Sequence, residues 1–266
     1  MNEKFLSVAK FAAMEAGKLL MSNIGFVKSE SDFINPTTKQ DGDSELLIIK
    51  ILEKEFPDHG FLGEEFGKKN ESSRYRWIID PIDGTNNYVS GRDTFSVSIA
   101  LEKDGELVLG VVFLPKRNEL FYAVLGGGSF MNGENIEVGD KEDLDEVVVT
   151  YSAYPGNEKE NAVLNKRLSE SIVNLKDFGF ANVNKVDPVF GRGSMAAEFC
   201  YLACGRIDGI VRLKQKPWDV AAGSLIAREA GAEMNDLNLG VVSIYEGDYI
   251  SANRSLLKKL NGVLCN

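Results

Sequence analysis

Histidine and cysteine are nearly missing from this chain, with one His and three Cys in 266 residues. Cys200, Cys204 and Cys265 with the single His59 make neither a disulfide framework nor a zinc-ligand pattern. Cys200 and Cys204 stand one helical turn apart and read as small apolar packing residues. His59, in "FPDHGFLGEE", reads as a loop residue beside an acidic pair. Long apolar runs are also missing: none approaches the roughly 20 residues that cross a bilayer. The opening "MNEKFLSVAKFAAMEAGKLLMSNI" mixes Glu and Lys through its apolar positions, as an amphipathic helix does and a signal peptide does not. A cytoplasmic protein with no membrane partner is expected. A basic excess is lacking too, since 40 acidic residues against 30 basic give a net charge of -10. That balance argues against a nucleic-acid partner, and it leaves room for a small anionic substrate wherever bound cations reverse the local sign. With no repeat and no low-complexity linker, the two halves are expected to share an interface.

What is present alternates between helical and strand patterns. After the first helix, Asp41 or Asp43 is placed to cap a second, whose apolar Leu46, Leu47, Ile49, Ile51 and Leu52 recur at helical spacing before Pro57. "HGFLGEEFG" is a short strand with Glu64 and Glu65 at its exit, and "YRWIID" a buried strand turning through "DGTNNYVSG" into a short helix. "FSVSIALEKDGELVLGVVFLP" is a hairpin around Lys-Asp-Gly, and "NELFYAVLGGGSFMNGENIEV" adds strands around glycine turns. The first half is thus helices on a largely antiparallel sheet. In the second half, "DEVVVTYSA" and "GIVRL" read as strands. "NEKENAVLNKRLSESIVNL", "GSMAAEFCYLACGRID" and "DVAAGSLIAREAGA" read as helices, the last closed at Gly231. The tail is a strand, an Asn253 cap and a helix.

Acidic groups gather at element ends: Asp41, Glu64 with Glu65, Asp80 with Asp83 in "WIIDPIDGTNNY", and Asp219 in "KPWDVAAG". Bringing carboxylates together without cations is costly through repulsion and desolvation, and oxygen clusters suit Mg²⁺ or Mn²⁺. Asp80 ends the strand, Pro81 fixes a bend, and Asp83 is expected back on the same side one turn later. Gly84 and Thr85 open a helix whose amides can seat a phosphate. Asp41 alone or Asp219 alone reads better as a helix cap. The joined "GEE" and "DPIDGT" point instead to a divalent-metal site that accepts a phosphate.

These segments resemble the inositol monophosphatase family of Mg²⁺-dependent, lithium-sensitive phosphatases. "WIIDPIDGTNNYVSG" with "FSVSIAL" is similar to its first signature and "WDVAAGSLIAREAGA" to its second. "FLGEE", the "TKQD" before Glu45, "GSMAAEFCYLACGRID" and "YISAN" fall in the expected order. The resemblance implies an α+β fold, a layered αβαβα sandwich of the sugar-phosphatase type with two closely packed lobes. Residues 1–145 would carry most metal ligands, and residues 146–266 would carry Asp219 and the substrate contacts. It implies that Glu64, Asp80 and the Ile82 carbonyl hold one Mg²⁺ and that Asp80, Asp83 and Asp219 hold a second. Glu64 and Glu65 would support a third, with Mn²⁺ as an alternative metal. Asp41 and Thr85 would position and deprotonate a metal-activated water for direct attack on the phosphorus, while the amides of Gly84 and Thr85 hold a phosphoryl oxygen. The implied partners are a small phosphorylated metabolite, such as an inositol or sugar phosphate, and a second copy in a homodimer.

The chain departs from the pattern on the substrate side, where Gly193, Ser194, Met195 and Arg212 are the candidate contacts. Arg212 replaces a glutamate seven residues before the "WD" aspartate, which leaves it either as a donor fork for a second anionic group or as a solvent-facing strand end. Met195 is bulkier than the small residue usual there, and Lys214 and Lys216 add charge nearby. A bisphosphate nucleotidase, a fructose bisphosphatase and a non-catalytic metal-dependent regulator stand as alternatives.

Overall fold

The computed structural model describes residues 2–24, 38–152, 158–177, 193–213, 215–237, 240, 242–245 and 247–265. Lys214 lies outside the described residues, as does the Cys265 side chain. Two helices come first, α1 (Asn2–Asn23) and α2 (Lys39–Glu55). Strands β1 (Gly60–Gly63), β2 (Gly67–Lys69) and β3 (Tyr75–Asp83) lead to the short α3 (Thr85–Val89). Then come β4 (Ser96–Lys103), β5 (Glu106–Leu114), β6 (Glu119–Val124), β7 (Ser129–Met131) and β8 (Glu134–Ile136). The remainder is β9 (Val148–Ser152), α4 (Glu158–Ser171), β10 (Asn174–Asp177), α5 (Met195–Ala203), β11 (Gly209–Arg212), α6 (Pro217–Glu229), β12 (Glu233–Asn235), β13 (Tyr249–Ala252) and α7 (Arg254–Cys265).

Strands β1 to β8 form one sheet in the order β2-β1-β3-β4-β5-β6-β7-β8, antiparallel except where β1 runs parallel to β3. The β4–β5 turn is Asp104-Gly105 with both residues at positive φ, the primed geometry that follows strand twist and that Gly adopts without strain. The other five strands form a second sheet, β10-β9-β11-β13-β12, with β9 parallel to both neighbours and β13 antiparallel to both of its own.

Packing orders these sheets into five layers. On α1, Ala9, Ala12, Ala13 and Ala16 recur at helical spacing and are fully buried, so the helix sits close against Val97, Ile99 and Val111 of the large sheet. The opposite face of that sheet meets α5 and α6, whose buried residues join Ile210 and Tyr249 of the small sheet in one cluster. A helix between two sheets has no solvent face, which is why α6 runs Val220 to Ala227 without an exposed residue. Leu256, Leu257, Leu260 and Leu264 of α7 join Leu164 and Leu168 of α4 on the outer face of the small sheet. The result is an αβαβα sandwich of the α+β class.

Four local expectations change, the first being that the helix read in "NEKENAVLNKRLSESIVNL" stops at Ser171, and Asn174 and Leu175 open β10. Helix α2 is capped by Thr38 rather than by Asp41 or Asp43; Asp41 is the third residue of the first turn, and its carboxylate accepts from the Thr38 amide and hydroxyl. Leu46 is 52 % exposed and Ile48 takes the core position, because the stripe facing β3 runs Glu45, Ile48, Leu52. His59 is no mere loop residue: it stacks on Phe56 and Tyr75, and burial lowers its pKa. Among the described residues no helix is long and apolar enough to cross a membrane.

The sandwich relies on close approach. A Cβ at Gly110 of β5 would lie 2.5 Å from the Ala222 carbonyl oxygen of α6. Gly110→Ala therefore pushes α6 off the sheet and costs about 1–3 kcal/mol, to be read as a lower urea midpoint at unchanged m-value.

Candidate metal and phosphate site

Residues three apart on a regular strand point to opposite faces. Asp80 and Asp83 escape that rule because β3 carries a bulge: Asp80 pairs with Ser98 and Asp83 with Ser96, so three steps on β3 match two on β4. The device is thus an extra strand residue, not the return of a helical turn. Pro81, which has no N–H to lose, sits within it, and the Ser44 hydroxyl of α2 reaches the Pro81 carbonyl at 3.4 Å. Asp219, in the first turn of α6, comes in from the other half of the chain. Ligand oxygens of Asp80, Asp83 and Asp219 all lie within 4.8 Å of one another.

Asp219 and Asp41 occupy the same helical position, third in the first turn. Each gives one oxygen to the amide at its helix start, Lys216 N at 3.0 Å and Thr38 N at 2.8 Å. Capping and a site role are therefore compatible. The second oxygen of Asp41 lies 3.2 Å from the Thr85 hydroxyl, which is also 3.0 Å from the Ile82 carbonyl oxygen. Gly84, before Thr85, has φ 88°, and a Cβ there would meet Ser194 Cβ at 3.1 Å, so glycine is required at this crowded turn. Glu64 shares a side-chain hydrogen bond with Asp80 but is not one of the three converging acids, and Glu65 has Asp41 and Glu45 as its charged neighbours.

On the substrate side, Asp83 turns out to hold α5. Its carboxylate accepts from the Ser194 hydroxyl at 2.7 Å, the Met195 amide at 3.2 Å and the Ala196 amide at 2.6 Å. Met195 contributes that amide while its side chain is buried in the central cluster. Gly193, at φ 90°, accepts from Asn87 Nδ2 through its carbonyl and leaves space beside Glu198, whose Oε1 would lie 3.2 Å from a Cβ. Arg212 is not at solvent: it is buried in an ion pair with Glu198, which also accepts from Thr150 Oγ1 at 2.8 Å. Glu198 escaped sequence reasoning because its partner lies fourteen residues on, in another element. Lys216 is exposed.

Every acid of the site is pushed toward its protonated form. Glu64 opens to solvent on one side, but the surrounding protein and the charges of Asp219, Asp41 and Glu65 raise its pKa to about 8. Burial and Asp41 raise Glu65 to about 7. Burial and Asp83 raise Asp219 to about 7. Burial, then Glu64, Asp83 and Asp219, lift Asp80 well above the carboxylate range, and burial lifts Asp83 and Asp41. Convergent carboxylates held this far from their charged form fit a hard divalent cation, which would take the place of the protons.

The family model of the inositol monophosphatase family matches residues 1–266. The chain belongs to this family. It is 36% identical over 236 residues to a fructose-1,6-bisphosphatase/inositol-1-monophosphatase of Aquifex aeolicus, covering 86% of this chain and 84% of that one. It is 34% identical over 264 residues to the Nus factor SuhB of Pasteurella multocida, covering 96% and 93%. The crystal structure of the extragenic suppressor protein suhB from Bartonella henselae superposes with a TM-score of 0.87 at 30% identity, covering 98% of each chain. The fold is thus that of the inositol monophosphatase family and the coarse activity that of its phosphatases.

The raised carboxyls fix a pH dependence. In metal-free protein these groups bind protons more tightly folded than unfolded, so stability falls as pH rises from the usual 4.5 to about 8, where Glu64 titrates. In EDTA the melting temperature declines over that range, and Mg²⁺ raises it more at pH 8 than at pH 6. Calorimetry of Mn²⁺ addition at pH 7 in buffers of different ionisation enthalpy registers proton release; a flat profile without proton release contradicts the assignment.

Proposed function

We propose that the protein is a Mg²⁺-dependent phosphatase of small phosphomonoesters that carry hydroxyls rather than a second anionic group. The observation that carries this reading is the convergence of Asp80, Asp83 and Asp219, joined by Glu64, beside the Asp41–Thr85 hydrogen bond. Asp80, Asp83, Asp219, Glu64 and the Ile82 carbonyl would hold the cations, with Glu65 in support. Bound divalent cations supply positive charge to phosphoryl oxygens and lower the pKa of water.

The protein's own part is proton handling and orientation. Thr85 Oγ1 takes a proton from the attacking water as its own proton passes to Asp41 Oδ1, whose raised pKa suits an acceptor. The Ile82 carbonyl keeps the Thr85 hydroxyl aimed when the proton is not shared with Asp41. The amides of Gly84 and Thr85 orient one phosphoryl oxygen. In-line displacement then needs no protein nucleophile, and none of the three cysteines is called upon.

Arg212 bears on the substrate. Its charge is met by Glu198 in a buried pair, which disfavours its use as a seat for a second phosphate and favours substrates with a single anionic group. The name of the Aquifex relative favours a second reading, with fructose 1,6-bisphosphate among the substrates.

Purified protein with Mg²⁺ is expected to release phosphate from inositol and sugar monophosphates, and Asp80→Asn or Thr85→Ala to lower that release by about 10²–10⁴-fold. No release from any of these, or full activity in Asp80→Asn, rejects the phosphatase reading. On substrate choice, the wild type favours monophosphates over fructose 1,6-bisphosphate and adenosine 3′,5′-bisphosphate, and Glu198→Gln shifts the ratio toward bisphosphates. A wild type that favours bisphosphates supports the second reading.

A further inference from the structure

Helix α2 buries a second acid one turn beyond Asp41. Glu45 is completely shielded from solvent, and its carboxylate oxygens accept from two main-chain amides, Glu65 N at 2.9 Å and Phe66 N at 3.1 Å. A Cβ at Gly63 would lie 1.8 Å from Glu45 Oε1, so the residue before the acidic pair must be glycine for the carboxylate to occupy this place. Among the described residues no lysine or arginine forms an ion pair with it. Burying a charge without a cation is costly, and the two amides are what hold it.

These two amides belong to the turn that presents Glu64 and Glu65. Gly63 pairs with Gly67, so Glu64, Glu65 and Phe66 are the whole connection between β1 and β2. Strand β2 is three residues long and exposed throughout, and the Phe66 side chain is 53 % exposed, so packing does little to fix this turn. The Glu64 amide is tied to the Ile79 carbonyl at 3.3 Å on one side, and the Glu45 carboxylate grips the next two amides on the other. Because Asp41 and Glu45 lie four apart on one helix, α2 presents both acids on the same side.

We propose that Glu45 is a positioning residue that sets the cation affinity of the site by clamping the 64–66 turn, so that Glu64 is held facing Asp80. This rests on the reading of Glu64 as a cation ligand. Groups that orient a metal ligand from behind commonly govern affinity by 10–100-fold.

The test is a Mn²⁺ titration of the full chain, following free Mn²⁺ by electron paramagnetic resonance, for wild type and Glu45→Gln. The amide nearly keeps the shape of the carboxyl but turns an NH₂ group toward one of the two donors. Glu45→Gln is expected to weaken Mn²⁺ binding about 10–100-fold while its melting temperature in EDTA stays at or above that of wild type, since a buried charge has been removed. The Mg²⁺ concentration for half-maximal phosphate release rises by the same factor. Unchanged Mn²⁺ affinity in a folded Glu45→Gln overturns the proposal, and a wild type that binds no Mn²⁺ rejects the metal-site reading itself. Should the variant not fold, hydrogen exchange in metal-free wild type decides. Slow exchange at the Glu65 and Phe66 amides, despite the exposed turn, upholds the clamp; exchange at the rate of an open loop overturns it.

Discussion

Mutual repulsion among carboxylates is the constraint that organises this molecule. Asp41, Glu64, Asp80, Asp83 and Asp219 are delivered by a helix start, a turn, a bulged strand and a second helix start, and the charges that lift Glu64 and Asp80 come from acidic neighbours. The four aspartates are also anchored to main-chain or hydroxyl donors, which offsets the repulsion: Thr38 for Asp41, Ile82 N for Asp80, the start of α5 for Asp83 and Lys216 N for Asp219. For Asp41, Asp80 and Asp219 one carboxylate oxygen is tied to an amide, whereas at Asp83 both oxygens accept from the start of α5.

That arrangement explains the five layers. The large sheet supplies the bulged strand, and the central helix pair lies between the sheets so that the first turn of α6 can bring Asp219 to it. The apolar run of α6 and the glycine at position 110 are consequences of that seat: both sheets must close on the helix for its first turn to arrive at the right height. Packing and chemistry are set by the same contact.

Much of this was legible in the sequence. Alternation, turn residues and the Asn253 cap gave the strands, hairpins and last helix, because local patterns report local structure. The acids of "GEE", "DPIDGT" and "WD" were visible as a cluster in the making, since nothing else accounts for paired carboxylates at strand ends. What stayed hidden was pairing between elements distant in sequence. The bulge in β3 depends on its register with β4, the Glu198–Arg212 pair on where α5 lands over β11, and the grip of Glu45 on a turn twenty residues away. No window of neighbouring residues contains both sides of such contacts. Three-residue strands such as β2 and β12 were missed for another reason: they are too short to show a period.

Asp83 carries one more implication. By accepting from Ser194, Met195 and Ala196 it commits the opening turn of α5 to holding an acid of the cluster, whatever the protein acts upon. Glu198, at the end of the same turn, is free of that duty and pairs instead with Arg212 of the neighbouring strand. Divergence in substrate along this scaffold would then be written in that pair and in the rest of α5. The turn nearest the chemistry stays fixed by electrostatics.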